Sequence, residues 1–300
     1  MRVLILGGTG MLGHKLAQIY KDRFETWATV RSANTNLFQL GIFDPKRLLA
    51  GVDAYRFDSI THAVEKVHPD VVINCIGIIK QSPAIQDTLG AIGTNSMLPQ
   101  RLAILCQVAR ARLIHISTDC VFSGRKGNYT EDDVSDAEDL YGRTKFLGEV
   151  AKSGCLTLRT SIIGRELNSS FGLVEWFLSQ RGGRVKGFTT AIYTGFTTQA
   201  LATVIESVIV DHPELEGVYN VSSNPITKYD LLRIMNDVFK TNIAIDTDDN
   251  VVIDRSLDSS RFRNKTGFKP KEWQEMINKM GEDPSPYERW RTVLGSPLQR

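Results

Sequence analysis

The stretch Arg2-Val3-Leu4-Ile5-Leu6-Gly7-Gly8-Thr9-Gly10-Met11-Leu12-Gly13 decides how the rest of the chain is read. Its first half is a continuous apolar run after one Arg, the pattern of a strand buried on both faces. Its second half carries glycine in two frames, Gly7-x-x-Gly10-x-x-Gly13 and Gly8-x-Gly10-x-x-Gly13. Leu12, Leu16 and Ile19 then fall on the inner side of a helix running to about residue 22. Strand, glycine turn and helix in that order is the context in which backbone N–H groups at a helix N-terminus receive a pyrophosphate. Gly7, Thr9, Gly10, Met11, Leu12 and Gly13 are therefore the expected cradle of a dinucleotide.

Working outward, strand patterns recur at 25–30, 53–57, 71–75, 113–116 and 155–159, with helical patterns at 59–67, 91–111 and 141–152 between them. Alternation of this kind implies right-handed crossovers and a parallel sheet. The expected class is α/β, a Rossmann-type doubly wound parallel sheet with a smaller C-terminal substrate-binding lobe. Residues 1–164 should form the dinucleotide-binding domain, and 165–300 mainly the substrate lobe. Within the second half, 194–221 should return to the main sheet through a helix at 197–210 and a strand at 218–221. Smaller helical pieces are expected at 171–180, 227–239, 259–265 and 271–279.

The strand ends carry the chemistry. Strand two ends in Thr29-Val30-Arg31-Ser32, without the carboxylate that bonds a ribose 2′-hydroxyl, and Arg31 can match a 2′-phosphate. NADP(H) is thus preferred, with NAD(H) as the other candidate. Asp58 follows the expected third strand, where it contacts an adenine edge or caps a helix. Cys75-Ile76-Gly77 ends the fourth strand, where the chain passes close to a cofactor. Lys80 lies just beyond, a candidate for a phosphate or sugar and equally a solvated lysine. Ser117-Thr118-Asp119 ends the fifth strand. Tyr141-Gly142-Arg143-Thr144-Lys145 places a phenol and an ammonium on one helical face. A nearby ammonium favours the phenolate and brings the phenol toward a useful acid–base range. Tyr141, Lys145 and Thr118 are the expected catalytic residues, with Tyr141 and Lys145 also toward the cofactor and Thr118, Asp119 and Lys80 toward substrate.

The remaining signals are plain ones. The acidic run 131–139 lacks the spacing of a calcium loop, and the five His show no metal-ligand spacing, so no metal is expected; His115 inside a strand reads as a core residue. A net charge of +2 argues against nucleic acid or membrane partners. The N-terminal apolar run is too short for a signal peptide, and no run approaches a membrane span. Four separated Cys read as buried reduced thiols, which together place the protein in the cytoplasm.

These residues together resemble the extended short-chain dehydrogenase/reductase superfamily, and within it the dTDP-4-dehydrorhamnose reductase family. The resemblance covers nearly the whole chain and rests on the glycine loop, on Ser117-Thr118-Asp119-Cys120-Val121-Phe122-Ser123-Gly124, and on Tyr141-Gly142-Arg143-Thr144-Lys145. Weaker support comes from Leu158-Arg159-Thr160-Ser161, from Gly217-Val218-Tyr219-Asn220-Val221-Ser222 and from Leu257-Asp258-Ser259-Ser260. It implies Tyr141 as proton donor, Lys145 as its tuning and ribose-binding partner, and Thr118 bonding the reacting oxygen. It implies a nucleotide-diphosphate sugar as substrate and, by analogy, a homodimer formed through helices near 91–111 and 141–152. The chain departs from that family at Cys120, where it usually has Tyr, at Ser123, where it usually has Asp, and at Ile162-Ile163-Gly164, where an aromatic usually stands. The sugar pocket is therefore expected to differ. The expected activity is reduction of a 4-keto group on a nucleotide-linked 6-deoxy-sugar. An NAD(P)-dependent sugar-nucleotide epimerase and a cofactor-binding regulatory subunit are the alternatives.

Overall fold

The structure is a computed structural model and describes residues 1–32, 35–167 and 169–295. Its centre is a seven-stranded parallel sheet of β1 (Arg2–Leu6), β2 (Glu25–Val30), β3 (Leu48–Ala50), β4 (Val71–Asn74), β5 (Arg112–Ile116), β6 (Cys155–Arg159) and β7 (Gly217–Asn220). The spatial order is β7-β6-β5-β4-β1-β2-β3, with every neighbouring pair parallel. The chain builds outward from β1 to β3, then crosses back to β4 on the other side of β1. Strand order reverses there, so the crevice opens at the carboxyl ends of β1 and β4.

The continuous apolar character of β1 has the physical cause read from the sequence. Val3 and Ile5 pack into one layer with Leu16 and Tyr20 of α1 (Met11–Tyr20); Leu4 and Leu6 pack into the other with Ile60 and Val64 of α2 (Phe57–Val67) and Leu102 of α3 (Leu98–Ala109). α3 is preceded by a π-helical turn, Ile92–Met97. α4 (Leu140–Leu147) follows β5, α5 (Leu173–Ser179) follows β6, and α6 (Thr198–Val210) lies against α1 before β7 closes one edge of the sheet.

The third strand differs from expectation. It is β3, at Leu48–Ala50, whereas 53–57 forms a turn and the start of α2. Gly51, at φ +79°, turns the chain off β3, and Asp53 and Arg56 then close a turn in which Arg56 N donates to Asp53 O at 3.0 Å. Asp58 consequently sits in the first turn of α2, exposed, rather than at a strand end.

The elements outside the sheet are short. Arg184–Phe188 pairs with Ala244–Asp248; Ala191–Tyr193 lies between Ile226–Thr227 and Ile253–Asp254; Ile162–Ile163 pairs with Phe196–Thr197. Helices α7 (Lys228–Phe239), α8 (Ser260–Thr266), α9 (Trp273–Gly281) and α10 (Tyr287–Leu294) complete the chain.

Candidate active site

The glycine loop is built so that only glycine fits at its critical points. Gly7 has φ +85°, and a Cβ at Gly13 would lie 2.1 Å from the Gly7 carbonyl oxygen. A side chain at Gly13 would therefore push α1 off β1. Gly10 caps α1 in extended conformation, with its N–H on Gly7 O at 3.0 Å. The loop is tied to β2, because Gly8 N donates to Thr29 O at 2.8 Å and Gly7 N to Thr29 Oγ1 at 3.2 Å. The first intrahelical bond runs from His14 N to Gly10 O, so the N–H groups of Met11, Leu12 and Gly13 lie in the first turn, without intrahelical acceptors. This cradle suits a pyrophosphate. Arg31 and Ser32 stand exposed at the end of β2.

Across the switch point, Cys75 N continues the ladder to Leu6 O at 3.1 Å, and Ile76 N donates to Asn74 Oδ1 at 3.1 Å. A Cβ at Gly77 would lie 3.9 Å from Lys145 Nζ. Ile78 is clamped from both sides by Asn95, which accepts from Ile78 N at 2.8 Å and donates to Ile78 O at 2.9 Å. Asn95 also reaches Thr144 Oγ1 at 3.3 Å, so the π-helical turn couples the Gly77 loop to α4. Sequence reading passed over Asn95, because a π-helical turn has no residue signature to point at it.

α4 delivers Tyr141 and Lys145 to the edge of β5. Asp139 caps the helix by accepting from Gly142 N at 2.7 Å. A Cβ at Gly142 would lie 2.2 Å from Cys120 O, so glycine is what lets α4 approach the loop after β5. Lys145 is buried and donates to Ile116 O at 2.7 Å. Burial lowers its ammonium to about 8, against the raising influence of Glu149 and Cys75. The half-buried Tyr141 phenol shares a hydrogen bond with Thr118. Here the expectation is corrected. Burial, with Cys120 beside it, pushes the phenol above its ordinary range, and the bond with Thr118 only partly offsets this. The Lys145 ammonium spends its hydrogen bond on the Ile116 carbonyl.

Thr118 follows β5, with Oγ1 donating to Asp119 Oδ1 at 3.1 Å and accepting from Cys120 N at 3.1 Å. Ser117 turns away, its hydroxyl on Glu149 Oε1 at 2.7 Å, within a buried Arg159–Glu149 pair at 2.7 Å. The Asp119 carboxyl is buried, which raises its proton affinity, while Arg255 and Lys228 act in the opposite direction. Lys228, Arg255 and Tyr193 thus reach the neighbourhood of Asp119 from the second half of the chain. Sequence reading missed all three, since they lie 74 or more positions from Asp119 and on no motif. Lys80, by contrast, is engaged at the surface with Asp139 at 2.6 Å, bracing the start of α4. His115 is buried in the sheet, with Nδ1 3.1 Å from Asn74 Nδ2. In the acidic run, Asp133 is held by Lys126 and Thr130, Asp136 by Ser123, and Glu138 by Arg125. Among the described residues no helix is long and apolar enough to cross a membrane. All four cysteines are free; Cys106 and Cys155 are buried, whereas Cys75 and Cys120 are only half-buried.

A doubly wound parallel sheet, a glycine turn at its switch point and a Tyr/Lys helix beside β5 define a Rossmann-type protein of the extended short-chain dehydrogenase/reductase kind. The chain belongs to the RmlD substrate binding domain family, whose model matches residues 1–284. It is 24% identical to the dTDP-4-dehydrorhamnose reductase of Aggregatibacter actinomycetemcomitans, covering 92% of this chain and 97% of that protein. It is 25% identical to methionine adenosyltransferase 2 subunit beta of Mus musculus, covering 98% and 91%. Among solved structures, the dTDP-4-dehydrorhamnose reductase of Bacillus anthracis in complex with NADP has the same fold, with a TM-score of 0.76 at 19% identity over 93% of this chain and 98% of that one.

Proposed function

We propose that this protein is an NADP(H)-dependent reductase of the 4-keto group of a nucleotide-diphosphate-linked 6-deoxy-sugar. The observation that carries the reading is the joint placement of Thr118, Tyr141 and Lys145 at the end of β5, beside Gly77 and across the switch point from the glycine cradle. Gly7, Thr9, Gly10, Met11, Leu12 and Gly13 would hold the pyrophosphate, Cys75-Ile76-Gly77 would pass beside the ring, and Arg31 would meet the 2′-phosphate. A nicotinamide cofactor held there would supply the hydride for the keto carbon. Tyr141 hands its proton to the keto oxygen, and Thr118 keeps that oxygen in line. Lys145⁺ stabilises the phenolate left behind, working in a water-poor site where a charge acts strongly. Burial of Tyr141 favours its neutral, proton-carrying form, which suits a donor.

The elements outside the sheet would serve as the substrate lobe over its carboxyl edge. The similarity to methionine adenosyltransferase beta subunits along almost the whole chain favours a second reading, a cofactor-binding regulatory subunit. The retained Tyr141/Lys145 pair favours the enzyme, because a pure binder needs no proton donor. The test is a panel of UDP- and dTDP-linked 4-keto-6-deoxy-sugars with NADPH, followed at the nicotinamide absorbance. Oxidation with at least one member is expected. If none is turned over and the protein instead copurifies with an enzyme partner, the regulatory reading replaces this one. Retained cofactor with sugar interconversion and no net NADPH loss points to a hydride-returning epimerase.

A further inference from the structure

Resting on the cofactor half of that reading, we propose that His14 is a positioning residue for the glycine cradle: its imidazole, held in one tautomer by Tyr287 of α10, pins the Gly10–Met11 peptide so that the Met11 N–H points where a pyrophosphate would sit. His14 and Tyr287 are both buried. The His14 backbone N–H donates to Gly10 O at 3.1 Å, the ordinary first bond of the helix. The ring brings a second donor to the same oxygen, with Nδ1 2.8 Å from Gly10 O. A carbonyl only accepts, so Nδ1 carries the hydrogen. A neutral imidazole has a single N–H, so Nε2 is an acceptor, and the Tyr287 hydroxyl 2.9 Å away donates to it. The environment agrees with that assignment. Burial lowers the imidazole to about 4, against the raising influence of the Gly10 bond, so it is neutral. Burial also pushes the Tyr287 phenol above its ordinary range, so it keeps its proton. The two rings meet edge to face, with centroids 5.7 Å apart. Asn36 Nδ2 donates to Val293 O at 2.9 Å, which ties α10 to the segment following Arg31 as well. Neither ring has a part in the reaction proposed above.

Gly10 is where such a pin matters. A glycine backbone has no side chain to restrict it, and Gly10 sits at φ −70° and ψ 166° where the loop turns into α1. Its own N–H is held by Gly7 O at 3.0 Å. A trans peptide is planar, with C=O and N–H antiparallel. Two donors on Gly10 O therefore fix the whole Gly10–Met11 plane from the helix side. The Met11 N–H, on the other edge of that plane, then points out of the N-terminal end of α1. It is one of the donors that the helix leaves without an acceptor, so its aim decides how well an anion is received there. The contacts thus run from α10 through Tyr287 and His14 to the Met11 N–H, and they make the C-terminal helix part of the cofactor site. Pyrophosphate is common to NADP(H) and NAD(H), so this pin serves both, whereas Arg31 would serve only the 2′-phosphate.

The experiment titrates NADPH and NADH against the full chain and its variants by calorimetry, with a urea midpoint for each as a check on folding. NMR of isotope-labelled imidazole nitrogens reads the His14 tautomer directly. Wild type is expected to show a neutral His14 ring with its hydrogen on Nδ1. His14→Gln places an amide near the Nε2 position and loses the second donor to Gly10 O, so both cofactors should bind about tenfold more weakly, the worth of one well-aimed hydrogen bond to a charged group. His14→Asn places an amide N–H near the Nδ1 position and should restore both affinities to within about twofold of wild type. Tyr287→Phe keeps the ring but frees Nε2, so it should weaken both cofactors roughly threefold and let the Nε2–H tautomer appear. A wild-type ring that is protonated, or that carries its hydrogen on Nε2, overturns the pin. Unchanged affinity in His14→Gln overturns it, as does a loss confined to NADPH. An equal loss in His14→Asn and His14→Gln also overturns it, since His14 would then act by packing alone. All of these leave the cofactor reading standing as long as wild type binds NADPH. A wild type that binds neither cofactor overturns that reading, and the pin with it.

Discussion

At the residue scale the site is a set of charges and protons whose placement makes separable demands. Tyr141 touches the reacting oxygen in the proposed reaction but not the pyrophosphate cradle. Tyr141→Phe should therefore lower turnover by roughly 10²–10⁴ while leaving NADPH affinity nearly unchanged. Single-turnover rates and fluorescence titration separate the two, and near-normal turnover would remove Tyr141 from its role. Arg31 makes the opposite demand. It stands exposed at the end of β2 with no carboxylate beside it in Thr29-Val30-Arg31-Ser32. A guanidinium pairs with phosphate through two charge-assisted hydrogen bonds, worth about 1.5–3 kcal/mol, so NADPH should bind roughly tenfold to a hundredfold more tightly than NADH. Arg31→Ala should weaken NADPH alone, and Arg31→Asp should reverse the preference. Equal weakening of both cofactors by Arg31→Ala, measured by calorimetry, would show Arg31 to be an ordinary surface residue.

At the element scale, the legible parts of the sequence were those in which one local pattern served one purpose. β1, the glycine turn and α1 were legible because burial on both faces, a turn needing glycine and a helical stripe follow one another without interruption. Tyr141 and Lys145 were legible because their spacing alone puts them on one face of α4. The third strand was misplaced because Leu48-Leu49-Ala50 makes only three residues of pairing with β2, too short for a periodic signal. α10 went unread because what holds it is distant in sequence: Tyr287 and Trp290 are buried in the core, and polar contacts tie this end of the chain to α1 and to Arg165. His14 Nε2 meets Tyr287 Oη at 2.9 Å, Lys15 pairs with Asp283 at 2.5 Å, and Arg165 lies over the Tyr287 ring at 4.6 Å. This seam joins α1 to the C-terminal segment, and it has a pH signature. Burial depresses His14 to about 4 from 6.5, so the native state resists a proton that the unfolded chain accepts. Stability should be full above pH 6.5 and should fall as pH drops toward 4, by roughly 3 kcal/mol in total. His14→Gln should flatten that limb of the urea-midpoint curve between pH 7 and 4.5. An unchanged slope would mean that His14 titrates normally.

At the scale of the whole molecule, the face behind the Tyr141/Lys145 helix is the one that looks unfinished. Along the helical stretch before β5, Met97, Ile104 and Val108 project outward at helical spacing, with Ile104 at 55% and Val108 at 78% exposure. Phe146 and Leu147 at the end of α4 extend the surface, and Gln100 Nε2 ties the two elements together by donating to Leu147 O at 3.2 Å. Contiguous apolar surface of this kind marks an interface more often than scattered single residues do. A second copy of the chain can cover it, because a twofold axis presents the same stripe to itself. Sedimentation or light scattering at micromolar concentration should then show a dimer, and Ile104→Asp with Val108→Asp should give a monomer, since each buries an unpaired carboxylate against the stripe. α4 carries Tyr141 on one side and Phe146 on the other. If the proposed reaction holds, losing the partner should therefore loosen α4 and lower turnover severalfold, while cofactor affinity at the glycine loop, on the far side of β4, stays unchanged. A wild-type protein that stays monomeric at those concentrations, or a charged double variant that still dimerises, would move the interface elsewhere.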